Sequence, residues 1–316
     1  MKKERIYFNT HKPLSFEFQQ NKYDFIVEEI PLYKFLNKGN FFIMKIKKVY
    51  LSTWELIEII GKKLNIDENQ IGYAGLKDKN ATTTQYISIP LNKSREFEIL
   101  NDKNIKVLET FKHDKKLKIG DLAGNKFVIK LKNIKDEELH LIYRSISHLQ
   151  KHGMANYFGY QRFGKDADFN YAKKIVYGEE TINDRKLKNF LVSAYQSYFF
   201  NSWLINRVEI SKQADSKKLI ALEGDIFQDK ERKIITGLMP GRKVPRAKGQ
   251  AGELEAKYDD PFIHDKGFRR DAWVYPKDIQ NRYNSKENTM QISFTLPKSS
   301  YATVFIENIA NKNLGY

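Results

Sequence analysis

Not one of the 316 residues is a cysteine. Disulfides, thiolate zinc sites and a cysteine nucleophile are therefore excluded, and a reducing cytoplasm suits such a chain. No stretch approaches the ~20 consecutive apolar residues of a membrane span. The opening MKKERIYFNTHKP is basic but lacks the apolar core of a secretory signal. Histidine is scarce, with six in all. His148 and His152 stand four apart, which puts both on one helical face. No third ligand follows at a matching spacing and HExxH is absent, so a surface pair at a helix end is the plain reading and no metal is expected. Walker loops, GxGxxG and the GxSxG elbow are missing as well.

What the chain does have is aromatic and basic. It carries 18 Tyr and 21 Phe, with 41% hydrophobic residues overall, enough for a core and contrary to disorder. Its length allows one large domain or two ordinary ones. Lys and Arg number 55 against 39 acids, a formal charge of +16. Such an excess suits a polyanion, either nucleic acid or an anionic membrane; the plain alternative is a well-solvated lysine-rich surface.

Periodicity predicts interleaved strands and helices. Strands are expected at 24–30, 41–49 and 83–89, and after the turn glycines of 116–134. In the second of these, Met44 and Ile46 point one way, and Lys45 and Lys47 the other. Ser52 and Glu55 form a capping box for a helix with Leu56, Ile57, Ile60 and Leu64 inward. Phe127, Ile129 and Leu131 share a strand face, and Asn125 has the same parity. Asp136 is expected to cap a helix with Leu139, Ile142, Ile146 and Leu149 inward, ended by Gly153. NYFGYQRFG (156–164) reads as a loop, followed by a long helix near 185–208 with Phe190, Leu191, Ala194, Tyr195 and Tyr198 on its apolar positions. LEGDIF reads as a short strand, FRRDAWVYP (268–276) as a return to sheet and MQISFTLP as a strand. Ser299 or Ser300 is expected to cap a final helix.

One stretch stands apart. GYAGLKDKNATTTQ (72–85) holds a single aspartate, Asp78, between Lys77 and Lys79. An ordinary polar turn would account for it in isolation. Five more segments occur in a telling order: DFIVEE, HDKKLKIGDLAGNKF, NYFGYQRFG, SAYQSYFFN and FTLPKSSYAT. Together the six resemble the motifs of the TruD family of pseudouridine synthases, over nearly the whole chain. The match departs in two places. Gln19 stands where the family carries a lysine before its first strand, with Lys22 in the place of a proline, so Lys22 or another cation must serve. Glu307-Asn308 replaces an Arg-Glu pair, which loses an RNA-facing arginine.

The resemblance implies an α+β protein: a pseudouridine-synthase catalytic fold, with a twisted mixed sheet flanked by helices, at 1–155 and 266–316. An inserted family-specific α/β domain is implied at 156–265. It implies isomerisation of a transfer RNA uridine, expected to be uridine 13 of the D-arm, without a cofactor; a cytoplasmic monomer is expected. Asp78 would be the catalytic carboxylate, attacking ribose or base or abstracting a proton. Phe25, Asn125, Phe127 and Tyr301 would line the nucleotide pocket, with core packing as the other reading of the three aromatics. Lys22, Lys77, Lys79, His113 and Arg162 would meet RNA. The basic stretches 111–118 and 240–249 are candidates for backbone contact, with solvated surface at least as good a reading of any single lysine in them. Tyr157, Phe158, Tyr195 and Tyr198 would shape the domain junction. A glycosylase, or an RNA-folding protein without turnover, are the competing functions; the first needs a second positioned acid, and none stands out near Asp78.

Overall fold

The computed structural model describes residues 4–163, 169–228, 231 and 233–314. Gly164, the last residue of NYFGYQRFG, lies outside them. The chain forms two compact units, one of residues 15–136 and 276–299, the other of 1–14, 137–275 and 300–316. The stretch expected as an insertion, 156–265, falls wholly inside the second unit, and the chain changes units at points other than 155/156 and 265/266.

The first unit is built on a mixed sheet. Its main strands lie in the order Lys277–Asn284, Thr289–Pro297, Leu122–Lys132, Phe25–Pro31, Thr82–Pro90, Phe41–Val49, Ile105–His113. Phe25–Pro31 and Thr82–Pro90 run parallel, while the other neighbours are antiparallel. Phe42, Met44 and Ile46 project into one cluster with Leu56, Ile57, Ile60 and Leu64 of the helix Thr53–Leu64. Full burial of each such side chain is worth ~1.5–3 kcal/mol. The helix opens on the expected capping box: Glu55 N–H donates to Ser52 Oγ at 3.2 Å, and Ser52 N–H to Glu55 Oε2 at 2.7 Å. It closes at Asn65, whose φ of 50° lies in the left-handed region that asparagine tolerates.

The two edge strands are the ones that periodicity does not announce. Lys277–Asn284 reads KDIQNRYN and is exposed along most of its length. An edge strand needs a backbone ladder on one side only and no apolar face, so its side chains carry no alternation to detect.

The second unit is organised around the helix Arg185–Gln213, longer than expected, whose start is capped by the Asp184 carboxylate. Leu191, Ala194, Tyr195, Phe200, Trp203 and Leu204 are buried along it, together with Tyr157 and Phe158. Phe190 and Tyr198 are only partly buried. The helix Asp136–His152 buries Ile142, Ile146 and Leu149, leaves Leu139 half-buried, and takes Asp136 as its first residue rather than its cap. It stops at Gly153, where φ is 78° and an added Cβ would lie 2.5 Å from Trp273 Nε1. FRRDAWVYP does not rejoin the large sheet: Phe268–Asp271 pairs with Thr236–Met239, and Trp273–Val274 with Met154–Ala155. LEGDIF contributes only an isolated bridge, Phe227 to Ile235. The last helix, Ala302–Ala310, has Tyr301 rather than a serine at its N-cap, with no side-chain capping bond; Ser299, two residues before it, is left-handed at a φ of 65°. Among the described residues no helix is long and apolar enough to cross a membrane.

Ile60 is wholly buried beneath the sheet-facing side of its helix. Ile60→Ala is expected to lower unfolding free energy by about 2–5 kcal/mol, read from the urea midpoint at constant slope.

Candidate active site

The loop carrying Asp78 joins Gly72–Tyr73 to Thr82–Pro90. Neither upstream glycine serves a left-handed turn. Gly72 faces Ser88 in the sheet register, and a Cβ there would come within 2.3 Å of Ser88 Oγ and 2.4 Å of the Leu117 carbonyl oxygen. That glycine lets two segments approach; Gly75 has room for a side chain.

Lys77 anchors the loop. Its backbone N–H donates to Thr53 Oγ1 at 2.9 Å, at the head of the capped helix. Its Nζ donates to Asn125 Oδ1 at 2.7 Å and lies 2.8 Å from Glu29 Oε2. The two side chains of this ion pair are 4% and 1% exposed. Glu29 Oε1 accepts from the Tyr86 N–H at 3.2 Å, and in the sheet Glu29 stands opposite Asn125. Burial raises the Glu29 pKa, and Lys77 opposes the rise. Lys79 turns the other way, with its Nζ 2.5 Å from Glu55 Oε1. The bond from Lys79, then those from Ser52, bring the Glu55 carboxyl down to about 2.

The neighbouring charges that act on Asp78 are Lys48 and Lys77. Lys48 stands on the Phe41–Val49 strand with the parity of Met44 and Ile46, and is fully buried. Its ammonium donates to the Leu51 carbonyl. Burial lowers its pKa to about 8; Asp78 and Glu55 pull it up, and Lys77 pushes it further down. Asp78 as a residue is exposed, yet enough protein surrounds its carboxyl that loss of solvent raises its pKa. Lys48 first, and Lys77 after it, oppose that rise. Lys79, paired with Glu55, is not among the charges that act on Asp78. Lys22, expected as a substitute for the missing lysine at Gln19, instead has its Nζ over the Tyr23 and Tyr50 rings, 4.8 and 5.5 Å from their centroids. Lys48 went unrecognised in the sequence. Its signal is a lysine on the apolar face of a strand.

The remaining predicted residues fall as follows. Phe25 is 1% and Phe127 6% exposed. Their rings lie 6.1 Å apart, and Phe127 also stacks on Phe294 at 5.5 Å. Asn125 is half-buried, two residues from Phe127 along its strand. His113 is buried and stacked on Tyr33 at 5.0 Å. In the second unit, the half-buried Tyr301 meets Phe158 edge-on at 6.0 Å. Gly159 is needed there, since a Cβ would come within 2.9 Å of the Tyr301 ring. Arg162 donates to the hydroxyls of Ser193 and Ser197 on the long helix. Glu307, at one departure from the family pattern, is buried and bound by Arg5 and the Tyr7 hydroxyl. Among the described residues no cluster of three metal-ligating side chains occurs.

The first unit thus holds a mixed sheet with a loop carboxyl, Asp78, whose ionised form is favoured by the ammonium groups of Lys48 and Lys77. The fold matches a crystal structure assigned as tRNA pseudouridine synthase D (TruD) from Methanosarcina mazei, with a TM-score of 0.71 and 24% identity, covering 98% of this chain and 96% of that one. The family model for tRNA pseudouridine synthase D matches residues 3–181. Proteins named tRNA pseudouridine synthase D from Wolinella succinogenes and Sulfurimonas denitrificans are 36% and 37% identical, each over 98% of this chain and 99% of their own length. The chain belongs to the TruD family of tRNA pseudouridine synthases, which are isomerases.

Two outcomes follow from the charges. In ¹³C-carboxyl NMR, Asp78 should titrate above an ordinary aspartate, and Lys48→Met should move it higher still, because removing a nearby cation disfavours the carboxylate. An unmoved titration in Lys48→Met would sever the link. Glu29→Ala should cost about 3–5 kcal/mol by stranding the Lys77 ammonium, and adding Lys77→Met should recover part of that loss in denaturant melts.

Proposed function

We propose that this chain isomerises uridine 13 of transfer RNA to pseudouridine, with Asp78 as the essential carboxylate, acting as a cytoplasmic monomer without a cofactor. The observation that carries the reading is the Asp78 carboxyl, enclosed by protein although its residue is exposed, and acted on by two buried ammonium groups.

The reaction breaks the C1′–N1 bond, turns the uracil and joins C1′ to C5. C5 loses its hydrogen and N1 gains one, so the nucleoside keeps its composition and no redox partner is required. Attack on ribose, attack on the base and proton abstraction all require an ionised acid. Burial works against that charge, and Lys48 and Lys77 work for it. The target base must leave its stack to be reached. Asn125, oriented by Lys77, is suited to a pyrimidine edge, and Phe127, braced by Phe25 and Phe294, to its ring. Tyr301 keeps its pocket role on the family pattern. Lys22, Lys79 and Arg162 suit RNA contact by their charge; His113 is the most enclosed of the four.

The test uses transfer RNA labelled with tritium at uridine C5, since that hydrogen leaves when C5 becomes the attachment point. Asp78→Asn is nearly isosteric and removes both charge and basicity. Tritium release should fall to background in single turnover with enzyme in excess, while RNA affinity stays equal or tightens. Release near the wild-type rate would remove Asp78 from the chemistry. Loss of RNA mass with the wild-type enzyme would point to base excision instead.

A further inference from the structure

Beside the Asp78 loop the first unit leaves large side chains outside. Tyr23 is 74% and Tyr50 43% exposed. Both are fixed in place by backbone. Tyr23 sits in a turn where Asn21 Oδ1 accepts its N–H at 2.8 Å and that of Asp24 at 3.0 Å. Tyr50 has a φ of 55°, a conformation that bulky residues rarely adopt, and its N–H donates to the Ala81 carbonyl at 3.3 Å. Between the two rings lies the Lys22 ammonium, 4.8 Å from one centroid and 5.5 Å from the other. The Lys22 carbonyl accepts from Thr82 Oγ1 at 2.8 Å. Ala81 and Thr82 are the residues into which the Asp78 loop runs, so the group stands at the rim of the candidate site.

Exposed aromatic faces beside a cation are what an unpaired nucleotide uses: the ring stacks the base, and the ammonium meets the phosphate. A left-handed tyrosine is strained, and strain that persists at the edge of a site points to use. The chain's +16 charge favours a polyanion over a protein partner.

We propose that Lys22, Tyr23 and Tyr50 form a seat for an unpaired base adjoining the target uridine, the base stacking on a tyrosine ring and the Lys22 ammonium taking its phosphate. The proposal rests on the uridine-isomerising function above and adds to it a contact with the RNA outside the reacting nucleotide. It makes substrate choice depend on whether that neighbour can leave its own stack.

The experiment uses the full chain and hairpin RNAs in which 2-aminopurine replaces the base on the 5′ side of the target uridine in one probe and on the 3′ side in the other. Wild-type protein should change the 2-aminopurine fluorescence in one probe as the base stacks on tyrosine. Tyr23→Leu keeps an exposed apolar side chain without a π face, and Tyr50→Asn tolerates the left-handed backbone, so both should fold. The pair of changes together should abolish the fluorescence change and weaken binding about 5- to 150-fold. Lys22→Gln should weaken binding and lower the slope of log affinity against log salt by about one. Fluorescence and affinity in both tyrosine variants equal to wild type would overturn the seat. Failure of the underlying function reads differently: wild-type protein would then release no tritium from any labelled RNA, whatever the fluorescence.

Discussion

The buried contact between Lys77 and Glu29 is the constraint on which the site depends. It ties the Asp78 loop to the Phe25–Pro31 strand, and the same ammonium reaches Asn125 on the next strand. Two charges removed from water are costly, and the contact survives because each carries further bonds: Glu29 from the Tyr86 N–H, Lys77 to Asn125. The Lys77 N–H adds a third tie, to Thr53 at the head of the helix. Loop, helix and two strands are thus held through one residue, and Asp78, its neighbour in sequence, inherits that fixity.

The parallel pairing of Phe25–Pro31 with Thr82–Pro90 makes this possible. It brings Glu29 beside the strand that leaves the Asp78 loop, while Leu122–Lys132 flanks Phe25–Pro31 on its other side. Residues far apart in sequence, 29, 77 and 125, then meet, with Glu29 and Asn125 placed by paired strands and Lys77 brought to them by the loop. Short, regular strands hold such positions more firmly than loops do.

Charge at the site is a balance of opposed effects. The protein around Asp78 disfavours its ionised form; Lys48 and Lys77 favour it. Lys48 is held near the limit of its own ionisation, with burial bringing it to about 8, so its charge is sensitive to the same surroundings that shape Asp78. Lys79 belongs to a separate, exposed pair that reinforces the helix cap. Two lysines that look equivalent in KDK have different work, because the irregular loop carries Lys77 inward to Glu29 and leaves Lys79 outside with Glu55.

By itself the sequence determined the family, the Asp78 motif, the capping box at Ser52 and the strands whose apolar residues alternate. These rest on short-range patterns, periodicity and spacing, which survive in one dimension. The edge strands were not legible: Lys277–Asn284 has no apolar face, and in Ile105–His113 only a few apolar residues are buried, too few to mark it in the sequence. The contact-based units, which divide at 14/15, 136/137, 275/276 and 299/300, are not legible in the sequence, because compactness is a property of contacts, not of motif order. Tertiary structure alone decided which cations act on Asp78. Lys48 lies thirty residues from it in sequence; its parity with Met44 and Ile46 marks it as covered, but only the packing of helix against sheet brings its ammonium to bear on Asp78.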